Sequence, residues 1–106
     1  SGDFEKKLNV KDLECVLEYC PEKFIFFLTS LYADFDMEYL GSLFVRGVAV
    51  YEVFNQIYLG VLTGKYRHED IHTMCQSIPH IKSEFREFLI DNISEAAEFW
   101  IEKFGL

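Results

Sequence analysis

The chain has few residues that break regular structure and few that carry positive charge. Only two prolines occur, Pro21 and Pro79, and the six glycines are scattered, so no Gly-rich phosphate loop is present. Lys and Arg number 10 against 18 Asp and Glu, a net charge of −8. Sequence-independent nucleic-acid binding rests on cations that neutralise phosphates, and this balance disfavours it. An anionic membrane surface is disfavoured for the same reason. The three cysteines, Cys15, Cys20 and Cys75, are odd in number and lack C-x-x-C spacing, so no disulfide framework is expected. Reduced thiols in a cytoplasmic setting are the expected state. Period-two alternation joined to a hairpin turn is also missing, which removes the strand signal. No signal peptide is visible. Ser1-Gly2 reads as a cloning remnant, which leaves open whether a native N-terminal segment is missing.

What the chain does have is apolar bulk. Half of its 106 residues are hydrophobic, with 11 Phe, 6 Tyr and 1 Trp. That suits one domain with a sizeable core. The longest low-charge stretch is 37–62, MEYLGSLFVRGVAVYEVFNQIYLGVL, whose charged residues are Glu38, Arg46 and Glu52. As a single helix it would be roughly 39 Å long. Its mostly apolar circumference predicts a rod surrounded by other helices. Arg46, Glu52, Asn55 and Gln56 in its middle argue against a membrane span.

Taken in order, residues 1–8 read as a disordered lead-in and 9–106 as a single helical domain. Asn9, with Asp12 three residues on, caps a first helix over 10–20. Pro21 ends that helix and opens a second over 21–33, with Phe24, Phe27, Leu28, Leu31 and Tyr32 on its inward face. Asp34 or Asp36 caps the central helix, and Gly64 stops it. A short helix follows over 68–77, with Ile71, Met74 and then Ile78 inward. Pro79 begins a last long helix over 79–104, whose apolar set runs from Ile81 through Phe85, Phe88 and Leu89 to Ile93, Ala96, Trp100 and Phe104. The predicted fold is all-α: a compact bundle of about five helices around a long central helix (37–62) and a long C-terminal helix (79–104).

Four constellations could carry chemistry. His68-Glu69-Asp70-Ile71-His72 is H-E-x-x-H, and it resembles the zinc motif of zincin metalloproteases. Histidines four apart share a helix face and can both ligate zinc, while the intervening Glu polarises a bound water. The resemblance implies His68 and His72 as ligands and Glu69 as general base. Cys75 and Ile78 stand where the extended motif has Gly and a third His. Arg67 and His72 also form R-x4-H, which resembles the active pair of HEPN ribonucleases, a helical and often dimeric family. His68, His72 and Cys75 fall on one helical face and are a candidate metal set, with zinc as the possible ion. The plainer expectation for this stretch is a solvated helix start with no cofactor, its acids placed where the helix dipole favours them.

The fourth feature is a stripe of acids: Glu84, Glu87, Asp91, Glu95, Glu98 and Glu102, spaced 3, 4, 4, 3 and 4. On one continuous helix they would share an arc of roughly 80° with no base among them. Like charges so placed repel, which suggests a docking rail for a basic protein partner. On the central helix, Glu38, Ser42, Arg46, Ala49, Glu52, Gln56 and Gly60 form a mixed strip. Its small members could admit a close-packed helix, either a neighbour or the same helix of a second subunit. The composite expectation is a small acidic helical interaction or regulatory domain, dimeric, with a metal-dependent hydrolase or HEPN-like ribonuclease as the enzymatic alternative.

Overall fold

A computed structural model describes residues 7–106. Among them are seven α-helices and no strand beyond a single bridge, so the chain is an all-α helical bundle. The described backbone groups into two compact units, one ending at Tyr39 and the other running from Leu40 to Leu106.

The first unit opens on α1 (Val10–Tyr19). Its start is the predicted reciprocal cap: Asn9 Oδ1 accepts from the Asp12 amide at 2.9 Å, and the Asp12 carboxylate accepts from the Asn9 amide at 3.0 Å. Such a cap satisfies two of the amides that a helix start leaves over. Pro21 then opens a single 3-10 turn, Pro21–Lys23, which leads into a short α2 (Phe24–Leu28). The helix predicted over 21–33 is thus cut short. The Thr29 hydroxyl donates back to the Ile25 carbonyl at 2.9 Å, and the chain leaves the helix. It becomes extended beside Leu8, whose amide donates to the Tyr32 carbonyl and whose carbonyl accepts from the Asp34 amide, both at 2.7 Å. Leu8, assigned to the lead-in on sequence, is therefore paired; residues 1–6 lie outside the described part. The turn also moves Leu31 and Tyr32 off the predicted inward face, leaving them 93% and 54% exposed. Among the described residues of this unit, Leu13, Phe24, Leu28, Phe35 and Tyr39 are the buried apolar ones. The Tyr39 hydroxyl donates to Glu14 at 2.6 Å.

Asp36 Oδ1 accepts from the Tyr39 amide at 3.0 Å and so starts α3 (Met37–Arg46), which carries the chain into the second unit. The expected long rod ends there. Gly47 turns to φ 69°, Ala49 to φ 48°, and a separate α4 (Val50–Leu62) follows. The break lets Phe44 on α3 lie 4.7 Å, ring to ring, from Phe54 on α4. A straight helix would hold these residues ten positions, about 15 Å, apart. The mixed strip of the central helix is divided as well. Its last small member, Gly60, is buried and covered from within the chain, because a Cβ there would fall inside the Tyr66 ring. Gly64, at φ 80°, supplies the predicted stop.

The short helix appears as predicted: α5 (His68–Ser77) buries Ile71, Met74 and Cys75. The predicted C-terminal helix is also two. α6 (Ile81–Asn92) stops where Ile93 turns to φ −137°, ψ 49°, and α7 (Ala97–Phe104) follows after one turn. The Asn92 side chain donates to the Phe88 carbonyl at 2.8 Å and to the Tyr51 hydroxyl at 2.6 Å, which pins the turn. Folding back brings Phe104 to 5.7 Å from Phe85, a packing that one straight helix could not make. α7 closes in a Schellman-type end: the Gly105 amide donates to the Glu102 carbonyl and the Leu106 amide to the Ile101 carbonyl.

Candidate functional site

The turn into α5 collects the residues of both enzyme-like motifs, and each is already engaged. Arg67 precedes the helix, and its amide donates to the Asp70 carboxylate at 3.2 Å. Its guanidinium Nε lies 3.4 Å from one Glu69 oxygen, and His68 Nε2 lies 3.1 Å from the other. The Glu69 carboxyl is held below its ordinary range, first by its own backbone amide and then by His68 and Arg67. A general base working near neutral pH needs the opposite shift. His72 is exposed on the next turn, its Nε2 3.3 Å from the Gln76 amide nitrogen. The other side of its ring lies against the α7 end, where a Cβ on Gly105 would come within 2.6 Å of Nδ1. Cys75 points inward, 1% exposed, and burial raises its thiol pKa.

His68, His72 and Cys75 therefore share a helix without sharing a site. Among the described residues, no three His, Cys, Asp or Glu side chains gather closely enough to hold a metal ion. Nor does any hydrogen bond or ion pair among them join Arg67 to His72. A thiol reagent checks this placement: Cys15, exposed on α1, is expected to react at once, and Cys75 only as the chain unfolds. Equal rates in the folded chain would refute the inward placement of α5.

The acids present a different picture. The predicted rail is divided by the turn at residues 93–96: Glu84, Glu87 and Asp91 lie on α6, Glu95 in the turn, and Glu98 and Glu102 on α7. All six are exposed, and among the described residues none meets a base within ion-pair distance. Beside them stands a residue that sequence reasoning missed. Phe99 is 60% exposed, although α7 buries Ala97 and Phe104. The signal was present in the spacing, since a residue next to Trp100 lies about 100° away from it on a helix. Glu102 is three positions from Phe99 and shares its face; Glu98 flanks it.

No known family, curated protein or solved structure matches this chain. Any functional reading therefore rests on its own surface.

Phe99 is not a loose side chain. Its ring meets Trp100 edge-on at 5.0 Å. Trp100 in turn meets Phe104 at 5.1 Å and Tyr58 of α4 at 5.6 Å. Phe104 continues to Phe85, Phe85 to Phe54 at 4.8 Å, and Phe54 to Phe44. A chain of ring contacts thus runs from an exposed aromatic on α7 to the middle of the core. Each step is worth about 0.5–1.5 kcal/mol beyond the area it buries. Among the described residues, no helix is long and apolar enough to cross a membrane.

Proposed function

We propose that this chain is a small acidic protein-interaction domain, regulatory in kind, which docks a basic segment of another protein on α7. The observation that carries the reading is Phe99: an aromatic ring, 60% exposed and braced from behind by Trp100, with Glu98 and Glu102 beside it. Interface anchors are typically aromatic, and complementary charge at the rim sets partner choice and encounter rate. The net charge of −8 favours a basic protein segment over nucleic acid. The three cysteines are all free thiols, which fits a cytoplasmic setting.

The test is calorimetric titration with a synthetic amphipathic helix that carries Lys on one face and a Leu anchor on the other. Wild-type binding is expected to weaken at least tenfold in Phe99→Ala and to vanish in Glu98→Lys with Glu102→Lys, with helicity by circular dichroism unchanged. Equal affinity in Phe99→Ala would reduce the interaction to bulk charge and sink the anchor. The hydrolase and ribonuclease readings have weaker support, because Glu69, Arg67 and His68 are spent on one another.

A further inference from the structure

The connection between α3 and α4 is only three residues long, Gly47 to Ala49. It is locally unfavourable in two ways. Ala49 sits at φ 48°, ψ 41°, in the left-handed region, where the Cβ of an L-residue crowds its own carbonyl. Among the described residues it is the one residue other than glycine with positive φ. Ala49 is also the N-cap of α4 and offers no side-chain acceptor. The first amides of that helix therefore lack the partner that Ser, Thr, Asp or Asn would supply.

The local marker of the break is Gly47, whose left-handed φ of 69° suits glycine. No proline occurs between Pro21 and Pro79, and one helix running through 37–62 would close the interrupted hydrogen-bond ladder. The bend is held by a local cap at the end of α3, where the Gly47 amide donates to the Phe44 carbonyl at 3.0 Å and the Val48 amide to the Leu43 carbonyl at 2.9 Å, and by packing across it, with the Phe44 ring of α3 4.7 Å from that of Phe54 on α4. That contact can equally be made between two chains. Short, strained hinges are the known route to exchange of identical elements.

We propose that this chain forms an exchanged dimer with a second copy of itself. In it α3 and α4 fuse into one helix, and Phe44 of each copy packs on Phe54 of the other. The packing across the bend is recovered between the chains, so the hinge itself decides the balance: two left-handed alanines are released and two helix breaks are closed. Opposing this are the β-branched Val45, Val48 and Val50, which are weaker helix formers, and the lost freedom of association. The dimer is accordingly concentration-dependent. This inference is independent of the docking surface on α7.

Light scattering coupled to size-exclusion chromatography tests it on the whole chain over a micromolar to millimolar series, with two opposed substitutions. Ala49→Gly relaxes the bend and weakens the fused helix, so the dimer dissociation constant is expected to rise at least tenfold. Gly47→Ala strains the bend, because Gly47 sits at φ 69°, and favours the helix; the constant is expected to fall at least tenfold. A Cβ at Gly47 has no neighbour within 4 Å, so an ordinary surface contact would not separate the two exchanges in this way. Monomer throughout, a dimer seen only in Gly47→Ala, or a dimer whose constant neither change moves would overturn the proposal. If Gly47→Ala does not fold, loss of the dimer in Ala49→Gly supports the proposal and its persistence refutes it.

Discussion

Phe85→Ala is expected to lower the stability of the chain by about 3–5 kcal/mol, the largest loss from any single truncation proposed for it. Phe85 is fully buried, and its ring meets Phe54 at 4.8 Å, Phe104 at 5.7 Å and Phe88 at 6.1 Å. It is therefore where α4, α6 and α7 meet. Removing the ring leaves a cavity walled by other rings, which are too stiff to collapse into it. The cost should fall at the upper end of what transfer and cavity terms together predict. Domains of this size hold only about 5–15 kcal/mol in total. Thermal denaturation should show the midpoint reduced by more than roughly 12 °C. Phe99→Ala in parallel should cost only about 0.5–1.5 kcal/mol, the worth of its ring contact with Trp100. A Phe85→Ala chain that melts with the wild type would mean that the three helices do not converge on this ring.

Gly60→Ala carries the second large effect, and its sign depends on a partner. In an exposed helix interior the same exchange would stabilise by about 1 kcal/mol. Here the new methyl group would occupy the space of the Tyr66 ring, and Tyr66 is only 8% exposed. The ring is also tethered, because its backbone amide donates to the Gly60 carbonyl at 3.0 Å. Either the ring leaves its site or the turn into α5 shifts. The expected net loss is about 2 kcal/mol, an overpacking cost partly offset by the gain in helix propensity. In a Tyr66→Ala background the exchange should become neutral or stabilising. Urea titration of the four proteins completes the cycle, and a coupling energy below about 0.5 kcal/mol would contradict the contact.

Helix type and start were legible in the sequence because they depend on neighbours along the chain. The Asn9–Asp12 cap, the Gly64 stop and the 68–77 helix are all local matters, and each stands in the structure. Helix continuity was not legible in the same way. Residues 37–62 and 79–104 each read as one rod, since nothing in their apolar spacing forbids it. The bends arise because Phe44 reaches Phe54, and Phe104 reaches Phe85, only when the chain turns. Gly47 was a visible breaker, whereas the turn at Ile93–Ala96 has neither glycine nor proline to announce it.

The candidate site followed the same division. The six acids were evident from composition and spacing, but their arrangement on two helices was hidden with the second bend. Phe99 stood outside the apolar set of the last helix and was not singled out among the chain's many aromatics. The H-E-x-x-H and R-x4-H stretches were found as strings. Their side chains turn to their nearest neighbours, Glu69 to His68 and Arg67, which spacing alone does not reveal.

Trp100 has a practical consequence. It is the chain's one tryptophan, half-buried, with its ring against Phe99 on one side and against Tyr58 and Phe104 on the others. The molecule thus carries a built-in optical probe at the boundary between its surface and its core. Light emitted by one indole distinguishes two events without any added label: a ligand settling on Phe99 alters its polarity from outside, and loss of the bundle floods it with water from within.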